Sequence, residues 1–174
     1  MMTPLRKTSG FRASRFFLAL TLALVAAGCS ALAPGKERDR AELEHYWSSW
    51  QLHGSTSYQY VQRRLCYCLL EATLAVRVTV RDGVVIQRRY VDEDAPVPLQ
   101  LATAWGTIDD LFRLIENALE NDAASLLVTY DRRLGYPTHI SIDYDAVTAD
   151  DEIVITSSAV TFLDAAGVQV KYPF

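Results

Sequence analysis

The chain has 174 residues, half of them hydrophobic and 22% charged, which suits one globular domain with extras rather than a disordered polymer. Four of its 17 basic residues (Arg6, Lys7, Arg12, Arg15) lie before Phe16, and none of its 21 acidic residues does. Residues 29–174 therefore carry a formal charge of −8 (13 basic, 21 acidic). An acidic body of that size excludes nucleic acid as a partner and gains nothing from anionic lipid headgroups.

The chain opens on a basic stretch, followed by the uncharged apolar run Phe16–Gly28 and then Ala26-Ala27-Gly28-Cys29-Ser30. This is the three-part pattern of an export signal. The run is too short to span a bilayer, which takes about 20 apolar residues. The residues around Cys29 resemble the bacterial lipobox, with Ala26 where Leu is commoner. The resemblance implies cleavage before Cys29, a diacylglyceryl thioether on its sulfur and an acylated new N-terminus. Each buried methylene contributes roughly 0.8 kcal/mol, so two or three acyl chains make a durable anchor. The competing reading is an ordinary cleaved signal with an incidental cysteine. Ser14–Leu18 holds one arginine, not two, so export by the general route is expected. By resemblance to the known sorting rule, Ser30 rather than Asp after the cysteine favours the outer membrane, if the cell has two.

Ala31–Lys36 is a linker too short to hold a domain far from a membrane. Glu37–Leu52 reads as a helix, because Leu43, Tyr46, Trp47 and Trp50 recur at three- and four-residue spacings as one aromatic stripe. Ser57–Leu70 reads as a strand or bent strand pair. Leu74–Arg81 alternates, with Leu74, Val76, Val78 and Val80 on one side and Arg77, Thr79 and Arg81 on the other. Asp82-Gly83 signals a turn, and Val84–Val91 returns. A two-residue loop would set Thr79 opposite Ile86. One extra residue or a bulge sets Thr79 opposite Gln87 and Arg77 opposite Arg89, which keeps both patterns in phase.

Pro96 and Pro98 make Asp92–Trp105 a crossing loop. Thr107 then caps a helix, with Asp110 completing a capping-box-like signal. Ile108, Leu111, Phe112, Ile115 and Leu119 form its buried stripe. Leu126–Tyr130, Thr138–Tyr144 and Ile153–Leu163 are further strands, joined through Gly135-Tyr136-Pro137 and through Ala146–Glu152. The expected class is α+β: antiparallel sheet or sheets with two helices, in the order helix, three strands, helix, three strands. The doubled order suggests a pseudo-repeat of one helix on a curved meander, although no close residue-level repeat is visible. The expected divisions are a signal peptide (1–28), a lipidated N-terminus with a short linker (29–36) and a single domain (37–174).

Several spaced features occur in a set order: Trp47, Tyr58-Gln59-Tyr60, Cys66-Tyr67-Cys68, Tyr130-Asp131, Gly135-Tyr136-Pro137, Ile140, Asp143 and Asp150-Asp151-Glu152. This set resembles a family of small bacterial lipoproteins classed as a domain of unknown function, over roughly residues 42–163. The resemblance implies export and a helix-plus-sheet domain. It implies no activity.

Cys66 and Cys68 remain once Cys29 is lipidated. In a regular strand their α-carbons would lie about 6.6 Å apart, near the long limit for a disulfide of roughly 6.8 Å. A bond therefore needs a kink or bulge between them. The readings are a structural disulfide, reduced buried thiols, or a redox or metal site. For zinc, His45, His53 and His139 lack the ligand spacing.

Asp143, Asp145, Asp150, Asp151 and Glu152 gather around one turn. This is an oxygen-rich set that could take calcium, or a solvated turn whose Asp side chains bond nearby amides. Between residues 55 and 90 there are six basic residues against two acidic, and between 91 and 152 three against fourteen. The two blocks could attract one another, or the basic one could bind an anion or a partner through Arg77, Arg81 and Arg89. Tyr136, set in a turn, is expected to be exposed and is a further partner-binding candidate. Tyr58, Tyr60, Trp47 and Trp50 read as core rather than as a carbohydrate groove. Neither GxSxG nor HExxH occurs, and His139 near Asp131 is only a loose acid–base pair.

The expectation is a non-enzymatic envelope lipoprotein without a cofactor, membrane-anchored through Cys29. It would sit on the periplasmic face of the outer membrane in a cell with two membranes, and would bind an envelope protein or cell-wall component. The alternatives are a secreted-type inhibitor of an extracellular hydrolase, presenting Gly135-Tyr136-Pro137, or a redox- or metal-dependent protein.

Overall fold

The structure, a computed structural model, describes residues 34–148 and 151–170. The expected signal peptide, Cys29 and Asp150 lie outside the described residues. Helix α1 (Pro34–His53) begins three residues before the expected start and leads into strand β1 (Tyr58–Cys66). A 3₁₀ turn (Leu70–Thr73), β2 (Val76–Arg81) and β3 (Val84–Tyr90) follow. A second 3₁₀ turn (Leu99–Ala104) precedes helix α2 (Ile108–Glu120). Then come β4 (Ser125–Tyr130), β5 (Pro137–Asp143), β6 (Ile153–Leu163) and the short β7 (Gln169–Val170). No helix among the described residues is long and apolar enough to cross a membrane.

All described strands join one antiparallel sheet in the order β3-β2-β1-β6-β5-β4, with β7 added beside β6. The fold is thus α+β, with helix and strands twice over. Each half is a three-strand meander, and the seam between halves is β1 against β6. The β2–β3 register sets Arg77 opposite Arg89 and Thr79 opposite Gln87, with a bulge after Thr79. The bulge follows from side-chain alternation, since without it Ile86 would sit among the arginines.

Both helices pack on one face of the sheet. That face presents Tyr58, Tyr60, Gln62, Val76, Val78, Val80, Ile140, Ile142, Ile155 and Ser157, all buried. Helix α2 holds the centre through Ile108, Leu111, Phe112 and Ile115, and it starts in the expected capping box. Thr107 Oγ1 accepts the Asp110 N–H at 3.1 Å, and Asp110 Oδ2 accepts the Thr107 N–H at 2.8 Å.

Helix α1 is polar along most of its length and is held by four aromatic or apolar residues. Leu43 and Trp50 are buried. Tyr46 stacks on Tyr130 (4.3 Å, 9°), and Trp47 stacks on Phe112 (5.4 Å, 2°). The Trp47 indole also donates to Asp109 Oδ1 at 3.1 Å. Trp50 meets Tyr58 edge-on.

The expected crossing loop is held by side chains from the sheet. Arg64 and Gln62 donate to the Ala104 carbonyl, Arg88 to the Trp105 carbonyl (2.6 Å) and Tyr60 to the Gly106 carbonyl (2.7 Å). These bonds satisfy backbone acceptors that no ladder reaches.

Candidate functional site

The second face of the sheet carries no described helix. Alternation places Arg63 of β1, Arg77 and Arg81 of β2 and Arg89 of β3 on it, together with Gln59, Gln87, His139 and Thr156. Two arginines directly opposite one another repel across an antiparallel pair. Here Asp94, in the turn after β3, relieves that repulsion. Its Oδ1 accepts from Arg89 Nε at 2.9 Å and from Arg77 Nη1 at 3.4 Å, and Arg89 also donates to the Asp94 backbone carbonyl. The hydrogen bond from Arg89 holds the Asp94 carboxyl below its ordinary range. Slight burial opposes this, and the charges of Arg89 and Arg77 add to it.

Gln59, Arg77, Gln87, Arg89, Asp94 and Gln169 line an open recess of about 500 Å³. Two guanidinium groups and three amides around one carboxylate form a site that can accept a further planar anion. Arg81 lies apart from the pair, its guanidinium against Gly167 in the turn before β7. Of the three arginines singled out in the sequence, the structure therefore brings two together. The acidic block does meet the basic one here, through Asp94 alone of the acidic cluster at 92–94. Sequence reasoning missed Asp94, Gln59, Gln87 and Gln169. The available signal was the acidic start of the crossing loop beside two arginines in register.

Tyr136 requires a correction. It is 7% exposed, packed edge-on to Trp50 at 6.3 Å, so it is core rather than an exposed contact. Its burial follows from Gly135, which has φ +89° and touches α1. A β-carbon at Gly135 would come within 2.6 Å of the Tyr46 carbonyl and 2.8 Å of the Trp50 nitrogen. Asp131 caps the same turn by accepting the N–H groups of Arg133 (2.9 Å) and Leu134 (2.7 Å). The Tyr130-Asp131 and Gly135-Tyr136-Pro137 set is thus a clamp that seats α1 on the sheet. Tyr58, Tyr60 and Trp50 are core, as expected.

Cys66 and Cys68 are joined, with Cα atoms 5.3 Å apart. The expected kink is the end of β1, where the Cys68 N–H donates to the Cys66 carbonyl at 2.9 Å. Tyr67 stands at the tip of this turn, 83% exposed.

Around the acidic turn, Asp145 accepts from the Val147 N–H (3.0 Å) and from Thr148 Oγ1 (2.8 Å), and Asp143 accepts the Asp145 N–H (3.1 Å). These bonds to its own turn hold the Asp145 carboxyl below its ordinary range. Asp151 and Glu152 precede β6. Among the described residues, no three potential ligands converge on a point that could hold a metal ion. His139 pairs across the open face with Thr129 and Thr156. No hydrogen bond joins it to Asp131 among the described residues.

Residues 42–162 match a family of unknown function (DUF6174), and the chain belongs to that family. No curated protein matches the chain. No solved structure matches it.

Proposed function

We propose that this chain is a non-catalytic envelope lipoprotein, anchored through acyl chains on Cys29, that holds an anionic group of an envelope protein or cell-wall component on the uncovered face of its sheet. The observation that carries this reading is the Arg77–Arg89 pair, which among the described residues shares one counter-ion, Asp94, in an open, amide-lined recess. A purely structural ion pair would balance one cation with one anion. Two cations around one carboxylate leave a net positive recess on an otherwise acidic body. The signal-peptide pattern and the Cys29 context support the anchor. The short stretch between Cys29 and α1 would keep the recess near the membrane.

A photo-crosslinker at Gln87 of the full chain tests the reading in native envelopes. A specific crosslinked component is expected, and it should disappear when both Arg77 and Arg89 are changed to Glu. Capture that persists in the double variant would sink the recess as the binding surface. Cys29→Ser should release the protein from the membrane fraction.

A further inference from the structure

The end of the sheet at which α1 begins also carries the most exposed apolar turn of β1. Cys66, Ile153, Ile142 and Leu126 lie opposite one another across β1, β6, β5 and β4, so they mark one end of the sheet. The first turn of α1 lies at that same end. Gly35 and Arg38 line a recess with Leu126, Leu127 and Val128, and Lys36 pairs with Asp122 just before β4. The other end of α1 reaches the opposite edge, where Trp50 meets Tyr58 and Phe162.

Just past Cys66, Tyr67 (83%), Leu69 (66%) and Leu70 (73%) stand in solvent, and Leu65 beside them is 48% exposed. The Cys66–Cys68 link holds Tyr67 at the tip, and the 3₁₀ turn Leu70–Thr73 backs it, with Thr73 Oγ1 donating to the Leu70 carbonyl at 2.8 Å. The result is a rigid wedge of one tyrosine and three leucines, none of which packs on the buried core among the described residues.

We infer that this wedge enters the interface of the bilayer that holds the acyl chains. The inference rests on the proposed acylation of Cys29. From Cys29 to Pro34 there are five peptide steps, which reach at most roughly 18 Å. Three strand spacings, about 14 Å, separate β4 from β1. A tether this short therefore leaves the wedge within reach of the surface. Tyrosine and leucine are the residues that settle there, the ring at headgroup level and the leucines among the acyl chains. Charge narrows the choice of lipid. Asp143, Asp145, Asp151, Glu152 and Glu71 flank the same end and outnumber Lys36, Arg38, Arg63 and Arg64 there, so zwitterionic headgroups suit it better than anionic ones.

Full-length acylated protein, purified from membranes without reductant, carries an environment-sensitive fluorophore on Leu70→Cys. It is reconstituted in phosphatidylcholine vesicles. Leu69→Cys is the second labelling site in case the first disturbs the turn, and Val84→Cys, at the opposite end, reports water. Co-flotation with the vesicles should be complete. Labels at 69 and 70 should show blue-shifted emission and quenching by nitroxide lipids, the label at 84 neither. Replacing a third of the lipid with phosphatidylglycerol should weaken both signals. Should the protein float while labels at 69 and 70 match the one at 84, the wedge is no membrane contact and faces a protein or solvent. Failure to float would overturn the acylation of Cys29, and this inference with it.

Discussion

The hydroxyl of Tyr58, the first residue of β1 on the buried face of the sheet, accepts the backbone N–H of Ile108 at 2.9 Å. Ile108 is the first residue of α2, and its N–H has no partner within the helix. One phenol thereby ties the strand at the centre of the sheet to the start of the helix that covers it. Tyr58→Phe keeps the ring but leaves that N–H buried and unpaired, at a cost of roughly 1–3 kcal/mol. Urea unfolding followed by circular dichroism should show the midpoint falling with an unchanged slope. An unchanged midpoint would mean that water replaces the hydroxyl.

Burial pushes the Tyr58 phenol well above its ordinary value, against the Ile108 hydrogen bond, and does the same for Tyr60 and Tyr130. A group whose proton is held more tightly in the folded state lends stability below its unfolded value. It loses that stability as pH rises towards the folded one. The protein should therefore weaken above about pH 10, where unfolded tyrosine ionises. Absorbance at 295 nm should register these phenols only as the fold is lost. Full, reversible ionisation near pH 10 with an unchanged circular dichroism spectrum would contradict their burial.

Gly135→Ala should be among the most damaging single changes. It places a methyl group against the backbone of α1 and forces a side chain into φ +89°. Losses of this kind exceed about 2 kcal/mol. Gly35→Ala is the matched control, because nothing lies within 4 Å of its added carbon. It should be neutral or stabilising by up to about 1 kcal/mol, as alanine replaces glycine in a helix. Thermal melts of the two variants decide the matter. Similar melting temperatures would show that the turn does not hold α1.

Asp94→Asn removes the carboxylate between Arg77 and Arg89 while keeping its shape. Stability should change little, since the pair is exposed. Anion binding should rise. Titration with pyrophosphate at low salt should show an apparent affinity several-fold tighter than the parent's, falling as salt is added. Equal affinity for both proteins would mean that the recess does not bind through these guanidinium groups.

Legibility in the sequence followed the range of the interactions. The β2–β3 register could be deduced because β2 alternates valine with arginine or threonine, so an extra loop residue or a bulge is needed to set Thr79 opposite Gln87 and Arg77 opposite Arg89. The Thr107–Asp110 box could be read because it closes within four residues. The burial of Tyr136 could not, because it depends on α1 lying across a turn nearly ninety positions away. A Gly-Tyr-Pro turn looks the same in sequence whether it faces water or a helix. Asp94 was hidden for a related reason. Its contact with Arg77 depends on the path of a loop held by backbone carbonyls, and those carry no sequence signature. The two 3₁₀ turns and β7 are short elements that neighbouring packing decides.

The seam between β1 and β6 unites the earliest strand with the last long one. Neither meander is therefore a finished object. Until Leu163 is available, β1 offers a row of unpaired amides and carbonyls along its whole flank, and a chain stopped after α2 would keep that flank open permanently. Such fragments are primed to add foreign strands. The polypeptide must be complete through Leu163 before its sheet can close.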